Sequence, residues 1–225
     1  MGEVFDVGDW PVDLIRASLD QPVPACAPAQ VRAAIVAAGY GPKLARFLSE
    51  LYTCANGGSF YDGAFRIIPL EGRGDGETLG LFDWNRAGDW QEYAPANARS
   101  IFYFCMNAFG DLLGVPIDGE AELAADRVAV LWLEEARLEI FPIGWSLAVF
   151  RFLKDIDHVG GFLARLREYE WAVGFLGKPE PDQCFSWKMP PIVGGEESIR
   201  NLEIAPAYIH VSFTLQVIRE AQQRR

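Results

Sequence analysis

The spacing of apolar residues alternates along the chain between helical steps of three or four positions and the strict alternation of strands. Two early segments, "PAQVRAAIVAAG" and "GPKLARFLSELYTCANGG", carry a proline near the start and end at glycines. Each therefore predicts a helix with both boundary signals in place. Before them, residues 1–28 are rich in Pro, Asp and Val and predict an irregular arm with at most one short helix.

The middle of the chain predicts strands. The segment "FRIIPL", Phe65 to Leu70, predicts a short strand whose proline favours an edge or an end. "IFYFCMNAFGDLLGV" predicts a hairpin, because Asn107, Gly110 and Asp111 suit a tight turn between two apolar arms, the second ending at Pro116. "DRVAVLWLEE" is apolar on both faces and predicts a well-covered strand, and "ARLEIF" can continue the sheet.

The C-terminal half returns to helical spacing in "SLAVFRFLKDI", "FLARLREYEWAVGFLG" and "APAYIHVSFTLQVIREAQQRR". Between the last two lies a segment with the Pro and Gly content of a linker. Its large apolar residues, Phe185, Trp187, Met189 and Ile192, predict instead that it lies on the core. We therefore expect residues 179–225 to form an extension packed on the same core, within a single domain over residues 1–225.

Composition and charge narrow the class of protein. Half of the 225 residues are apolar and 13% are aromatic, which is typical of a globular domain. The net charge of −11 should repel nucleic acid and anionic membranes and attract a basic partner, although acidity can also serve only solubility. No apolar run approaches the roughly 20 residues that span a bilayer, and no secretory signal opens the chain. We expect a cytoplasmic protein.

Residues that could carry catalysis or hold a metal are few. The cysteines form no CxxC pair and predict reduced thiols; they are Cys26, Cys54, Cys105 and Cys184. With only His158 and His210 besides, we expect neither a metal site nor a cofactor. Ser146 in "GWSLA" lacks the second glycine of a nucleophile elbow and suits a helix start. We therefore predict a protein that is not an enzyme, with a hydrolase built on Ser146 or Cys105 as an alternative.

One polar stretch interleaves acidic and aromatic residues between Glu71 and Tyr93. Such a stretch can form a contact surface for a basic partner, although its tryptophans can equally be buried anchors. The candidate partner-binding residues are Glu71, Asp75, Glu77, Asp83, Trp84, Asp89, Trp90, Glu92 and Tyr93.

The order of these elements resembles the SUKH superfamily, which includes fungal cell-wall-synthesis regulators and many bacterial toxin-immunity proteins. The residues that carry the resemblance are the helix end Asn56-Gly57-Gly58, the strand Phe65 to Leu70 and the turn Phe109-Gly110-Asp111. The tail "KMPPIVGGEESIRNLEI" also resembles a closing Pro…Gly-Gly…Asn pattern of larger bacterial members. The likeness extends over residues 40–220.

The resemblance implies an α+β fold, in which a twisted, mostly antiparallel sheet is flanked by N-terminal and C-terminal helices. It also implies function by binding: an immunity protein that neutralises a cognate toxin in the cytoplasm, with no catalytic residues to transfer. Such toxins include nucleases, which are basic, and an inhibitor of charge −11 would suit one. The alternative is a regulatory scaffold that binds a cellular protein.

Overall fold

The computed structural model describes residues 12–21, 26–72, 79–86, 88–118, 122–123, 127–144, 148 and 165–224. Seven strands form an antiparallel sheet in the order β1-β2-β3-β4-β6-β7, with β5 paired to β4. They are β1 Ser59–Phe60, β2 Phe65–Ile67, β3 Ile101–Asn107, β4 Leu112–Asp118, β5 Glu122–Leu123, β6 Val128–Trp132 and β7 Arg137–Phe141. A separate hairpin pairs β8 Gln183–Trp187 with β9 Leu202–Pro206.

Six α-helices lie in the described residues and flank the strands. They are α1 Val12–Ser18, α2 Pro28–Ala37, α3 Pro42–Cys54, α4 Leu81–Trp84, α5 Leu166–Leu176 and α6 Ala207–Gln223. Both α2 and α3 begin at a proline, as their sequences predict. The expected class is confirmed: helices from both ends of the chain flank a mostly antiparallel sheet. The predicted segment "SLAVFRFLKDI" falls almost wholly outside the described residues.

The hairpin of β3 and β4 forms the centre of the sheet. Every residue of β3 is buried, because helices and neighbouring strands cover both of its faces. The register pairs Ile101 with Pro116, so β4 continues past the proline at which we expected it to end. On its other side, β4 pairs with β6 up to Gly114 and with β5 from Ile117. Pro116 lies between these two pairings, where its missing N–H is tolerated.

The strand predicted over Phe65 to Leu70 is shorter than expected and ends at Ile67. Beyond it, the amide of Leu70 donates to the side-chain oxygen of Asn56 at 2.8 Å. Gly57 takes a φ of +75°, and a Cβ there would lie 3.0 Å from the Cβ of Pro69. The Asn56-Gly57-Gly58 turn therefore follows Ala55, the C-cap of α3, and closes onto the segment after β2.

Sequence patterning did not predict the β8–β9 hairpin, whose place in the fold depends on Arg66. This buried guanidinium donates to the carbonyl oxygens of Glu180 at 2.8 Å, Pro181 at 2.5 Å and Gln183. Burial lowers the pKa of Arg66 from its ordinary value. These bonds tie β2 to the start of β8, on which Phe185 is buried.

The turn between β3 and β4 is buried and joins distant parts of the chain. The side-chain oxygen of Asn107 accepts from the amides of Phe109 and Asp111 at 2.9 and 3.0 Å, and its amide nitrogen donates to Asp111 at 2.8 Å. The other carboxylate oxygen of Asp111 accepts from the amide of Leu133 at 2.9 Å. The turn residues Asn107 and Asp111 thus satisfy each other and also fix the end of β6.

Gly110 is expected to tolerate alanine poorly in this turn, whereas Gly39 offers a control with the same φ. Both have a φ of +86°, but a Cβ at Gly110 would lie 2.9 Å from Leu133 and 3.0 Å from His210, and one at Gly39 would meet nothing within 4 Å. Gly39→Ala should cost about 1–2 kcal/mol of unfolding free energy from backbone strain. Gly110→Ala should cost roughly 1–3 kcal/mol more from overpacking. Urea unfolding measures both, and equal losses would contradict this account.

Candidate partner-binding site

The acidic and aromatic segment Leu81–Tyr93 is anchored by its tryptophans. Trp84 and Trp90 are 4% and 1% exposed, and the indole N–H of Trp90 donates to the carbonyl oxygen of Trp84 at 3.0 Å. The ring of Trp90 meets Tyr103 edge-on with centroids 5.4 Å apart. The sequence left open whether these tryptophans form a contact surface or are buried anchors. Both are buried, so their side chains offer no free surface to a partner.

The same segment packs against α6. The ring of Trp84 meets Tyr208 edge-on at a centroid distance of 5.5 Å. The guanidinium of Arg219 donates to the carbonyl oxygen of Glu92 at 2.6 Å and lies 5.9 Å from the centre of the Tyr93 ring. These contacts place Leu81–Tyr93 along one side of the C-terminal helix, which sequence spacing alone could not indicate.

The candidate carboxylates occupy different surroundings. Glu71 and Glu92 are exposed. Asp83 is half-buried. One of its oxygens pairs with Arg86 at 2.7 Å, and the other accepts from the amide of Gly80 at 3.3 Å. Asp75 and Glu77 lie outside the described residues, and for Asp89 only the backbone, in a 3-10 helix, is described.

The sequence prediction missed a group of exposed apolar side chains near the C-terminal end of the chain. Six of the eight large apolar side chains that are exposed in the described residues lie within residues 165–224; they are Trp171, Phe175, Met189, Val193, Ile209 and Phe213. Met189, expected on the core, is 51% exposed. Helical spacing identified α5, but its buried residues are Tyr169 and Ala172, so Trp171 and Phe175 face outward.

The loop between β8 and β9 has a fixed shape. The side-chain nitrogen of Asn201 donates to the carbonyl oxygens of Met189 at 2.7 Å and Glu196 at 2.9 Å, and its oxygen accepts from the amide of Met189 at 3.2 Å. A Cβ at Gly195 would lie 1.8 Å from the carbonyl oxygen of Met189. The Pro…Gly-Gly…Asn pattern of this tail therefore specifies a tightly closed loop.

The cysteines that the sequence offered for catalysis or metal binding lie in surroundings typical of structural residues. Cys105 is buried, and burial raises the pKa of its thiol well above the ordinary value, whereas a nucleophilic cysteine needs a lowered one. Burial likewise raises the pKa of Cys184 to about 12. All four cysteines are free of disulfides. Within the described ranges, no group of His, Cys, Asp and Glu could hold a metal ion. Ser146 and His158 lie outside those ranges.

His210 contacts the central turn from α6. Its Nε2 lies 3.2 Å from the carbonyl oxygen of Phe109 and its Nδ1 lies 3.2 Å from the hydroxyl of Thr214. Since a carbonyl only accepts, Nε2 carries the proton, and Nδ1 accepts from Thr214. Burial lowers the pKa of His210 to about 4, despite the opposing effect of the Phe109 carbonyl. The side chain is therefore a neutral core residue.

A small cleft with a cavity volume of about 30 Å³ lies beside Arg66. Met106, Trp84 and Tyr208 contribute to its lining. The Nη atoms of Arg66 donate to three carbonyl oxygens, whereas its buried Nε has no hydrogen-bond partner among the described residues.

Comparison with known proteins finds a family similarity in the C-terminal part of the chain. Residues 152–217 match the family model "T6SS immunity protein Tdi1, C-terminal". This stretch is therefore similar to a T6SS immunity protein family, and it contains the six exposed apolar side chains that lie within residues 165–224. The match covers less than a third of the chain.

The whole fold also has a solved counterpart. The structure titled "Crystal structure of Atu4351 from Agrobacterium tumefaciens" superposes with a TM-score of 0.55 over 92% of this chain and 88% of that one, at 17% sequence identity. This likeness concerns the fold alone. No curated protein matches the chain. Among the described helices, none combines the length and the apolar content that crossing a bilayer would need.

Acid is expected to destabilise the protein through His210. Its folded-state pKa of about 4 lies below the ordinary 6.5, so between these values the unfolded chain binds the proton and the folded one does not. Stability should therefore fall by about 3 kcal/mol as the pH drops from 7 to 4. Asp111, whose pKa burial raises, acts in the opposite direction but does so equally in a His210→Gln variant. Urea unfolding against pH should give a shallower acid loss in that variant, and identical slopes would contradict the assignment.

Proposed function

We propose that this protein is an immunity protein that binds a cognate toxin in the cytoplasm and neutralises it without catalysis. The observation that carries the proposal is the match of residues 152–217 to the C-terminal part of a T6SS immunity protein. The resemblance of residues 40–220 to the SUKH superfamily supports the same role. The high pKa of Cys105 favours binding over thiol chemistry.

The charge of the chain suggests what kind of toxin it meets. A protein with a net charge of −11 attracts a basic domain over distances of about 10 Å at ordinary ionic strength. Toxins that act on nucleic acid are basic, because they must hold phosphates. A basic, nuclease-type toxin is therefore the partner class that we propose, with the exposed carboxylates of Glu71 and Glu92 contributing to its attraction.

Co-expression tests the function. The product of the gene that neighbours this protein's own gene should arrest growth of a bacterial host when expressed alone and should lose that effect when this protein is co-expressed. The Gly110→Ala variant, whose stability is lowered, serves as a control in which less folded protein is present and protection should be weaker. Unchanged toxicity in the presence of folded protein would contradict the immunity role, and a host enzyme recovered as the bound partner would favour the scaffold alternative.

Charge reversal tests the electrostatic contribution. Glu71→Lys with Glu92→Lys should slow association with the toxin about tenfold at low salt, and the difference should shrink at high salt because the field is screened. The control is Glu168→Lys with Glu170→Lys on α5, which changes the net charge equally at two other exposed positions. Stopped-flow association measures both. An equal effect of the two variants would mean that only the total charge matters.

A further inference from the structure

Two exposed apolar pairs lie on neighbouring elements at the C-terminal end of the fold. Ile209 and Phe213 are 60% and 48% exposed, and their spacing of four places them on one face of α6. Met189 and Val193 are 51% and 49% exposed on the loop between β8 and β9. The 3-10 helix Pro191–Val193 of that loop packs against α6. These four residues are here called the C-terminal apolar surface.

The loop that carries half of this surface is preorganised. Asn201 fixes the backbone of Met189 and Glu196 on both sides, and the amide of Gly195 donates to the carbonyl oxygen of Pro190 at 3.2 Å. The loop therefore uses its hydrogen bonds to fix its own shape while it leaves two large apolar side chains exposed. Such a loop loses little conformational entropy when a partner covers it, which favours tight binding.

Exposed acidic side chains lie on the elements that carry or adjoin this surface. Glu196 and Glu197 are exposed on the same loop, and Glu203 is exposed on β9, which leads directly into α6. The loop also carries two cations, Lys188 and Arg200, and the ammonium of Lys188 is bonded to the carbonyl oxygen of Arg200 at 3.1 Å. The carboxylates outnumber the cations, and Glu92 is exposed on the segment that packs along α6. With the net charge of −11, this rim favours a basic partner.

The exposed pair on α5 differs in its surroundings. Trp171 and Phe175 share their helix face with one cation and one anion, Arg167 and Glu168, which lie four and three positions before Trp171. Lys178, beyond the end of α5, is paired with Asp62 at 2.6 Å. This face therefore has no preference for a basic partner, although its aromatic side chains are equally accessible.

We propose that the C-terminal apolar surface is the anchor of the complex, where apolar side chains of a basic toxin domain seat against Met189, Val193, Ile209 and Phe213. This inference rests on the proposed function and specifies its interface. A basic rim on the toxin meets Glu196, Glu197 and Glu203, while its apolar centre is desolvated against α6 and the loop. Buried apolar contacts at the centre with charges at the edge are the ordinary arrangement of tight interfaces.

Matched phenylalanine variants test the anchor. Phe213→Ser and Phe175→Ser each remove one exposed ring from a helix, at 48% and 57% exposure. Phe213→Ser should weaken binding of the purified toxin domain about 30-fold or more, the effect of a central interface residue. Phe175→Ser should change it less than twofold. Titration calorimetry measures affinity, and thermal unfolding verifies that both variants keep the wild-type stability.

Three outcomes would overturn the inference. If Phe175→Ser weakens binding and Phe213→Ser does not, the anchor lies on α5 and the immunity role stands. If neither ring matters, the interface lies elsewhere, again without harm to the proposed function. If light scattering finds a wild-type dimer that Phe213→Ser dissociates, a second copy of this chain covers the surface. Absence of any binding by the wild-type protein would instead remove the proposed function itself.

Discussion

Asn107 and Asp111 must satisfy each other's hydrogen-bonding groups away from water, and much of the fold is arranged around that constraint. An unpaired carboxylate or amide at this depth would cost several kcal/mol. The turn avoids that cost by using both oxygens of Asp111, one for the Asn107 side chain and one for the amide of Leu133. Because the second bond reaches the end of β6, the turn fixes the central hairpin and the neighbouring strand together.

Other elements then attach to the outside of this turn. The amide of Phe185 donates to the carbonyl oxygen of Ala108 at 2.8 Å, which joins β8 to the main sheet. The guanidinium of Arg165, at the start of α5, lies 4.1 Å from the centre of the Phe109 ring and pairs with Glu134 at 3.1 Å. From α6, the Nε2 of His210 bonds the carbonyl oxygen of Phe109 in the same turn. The C-terminal extension is therefore attached through polar contacts at one buried turn as well as through apolar burial.

Local signals were enough to predict the parts of the fold that depend on neighbours in sequence. Proline starts gave α2 and α3, and the buried β3 followed from its unbroken apolar run. The β8–β9 hairpin was missed because its place depends on Arg66, more than 100 positions away in the chain. Likewise, periodicity identified α5 without showing which face is covered. At the candidate site, spacing predicted an acidic and aromatic segment but could not decide that Trp84 and Trp90 are buried.

The exposed stripe on α6 follows from what covers the rest of that helix. His210, Val211, Thr214, Leu215 and Ile218 are buried and define the core side. Tyr208 and Arg219 lie to one flank, where Trp84 and the Glu92 carbonyl hold them. The remaining face carries Ile209 and Phe213, followed by a bonded pair, Gln216 and Glu220. If α6 served only to pack against the core, polar residues would be expected along this whole outward face. Apolar side chains occupy instead only the half that adjoins the hydrogen-bonded, acidic loop, which is the arrangement expected of the interface proposed above.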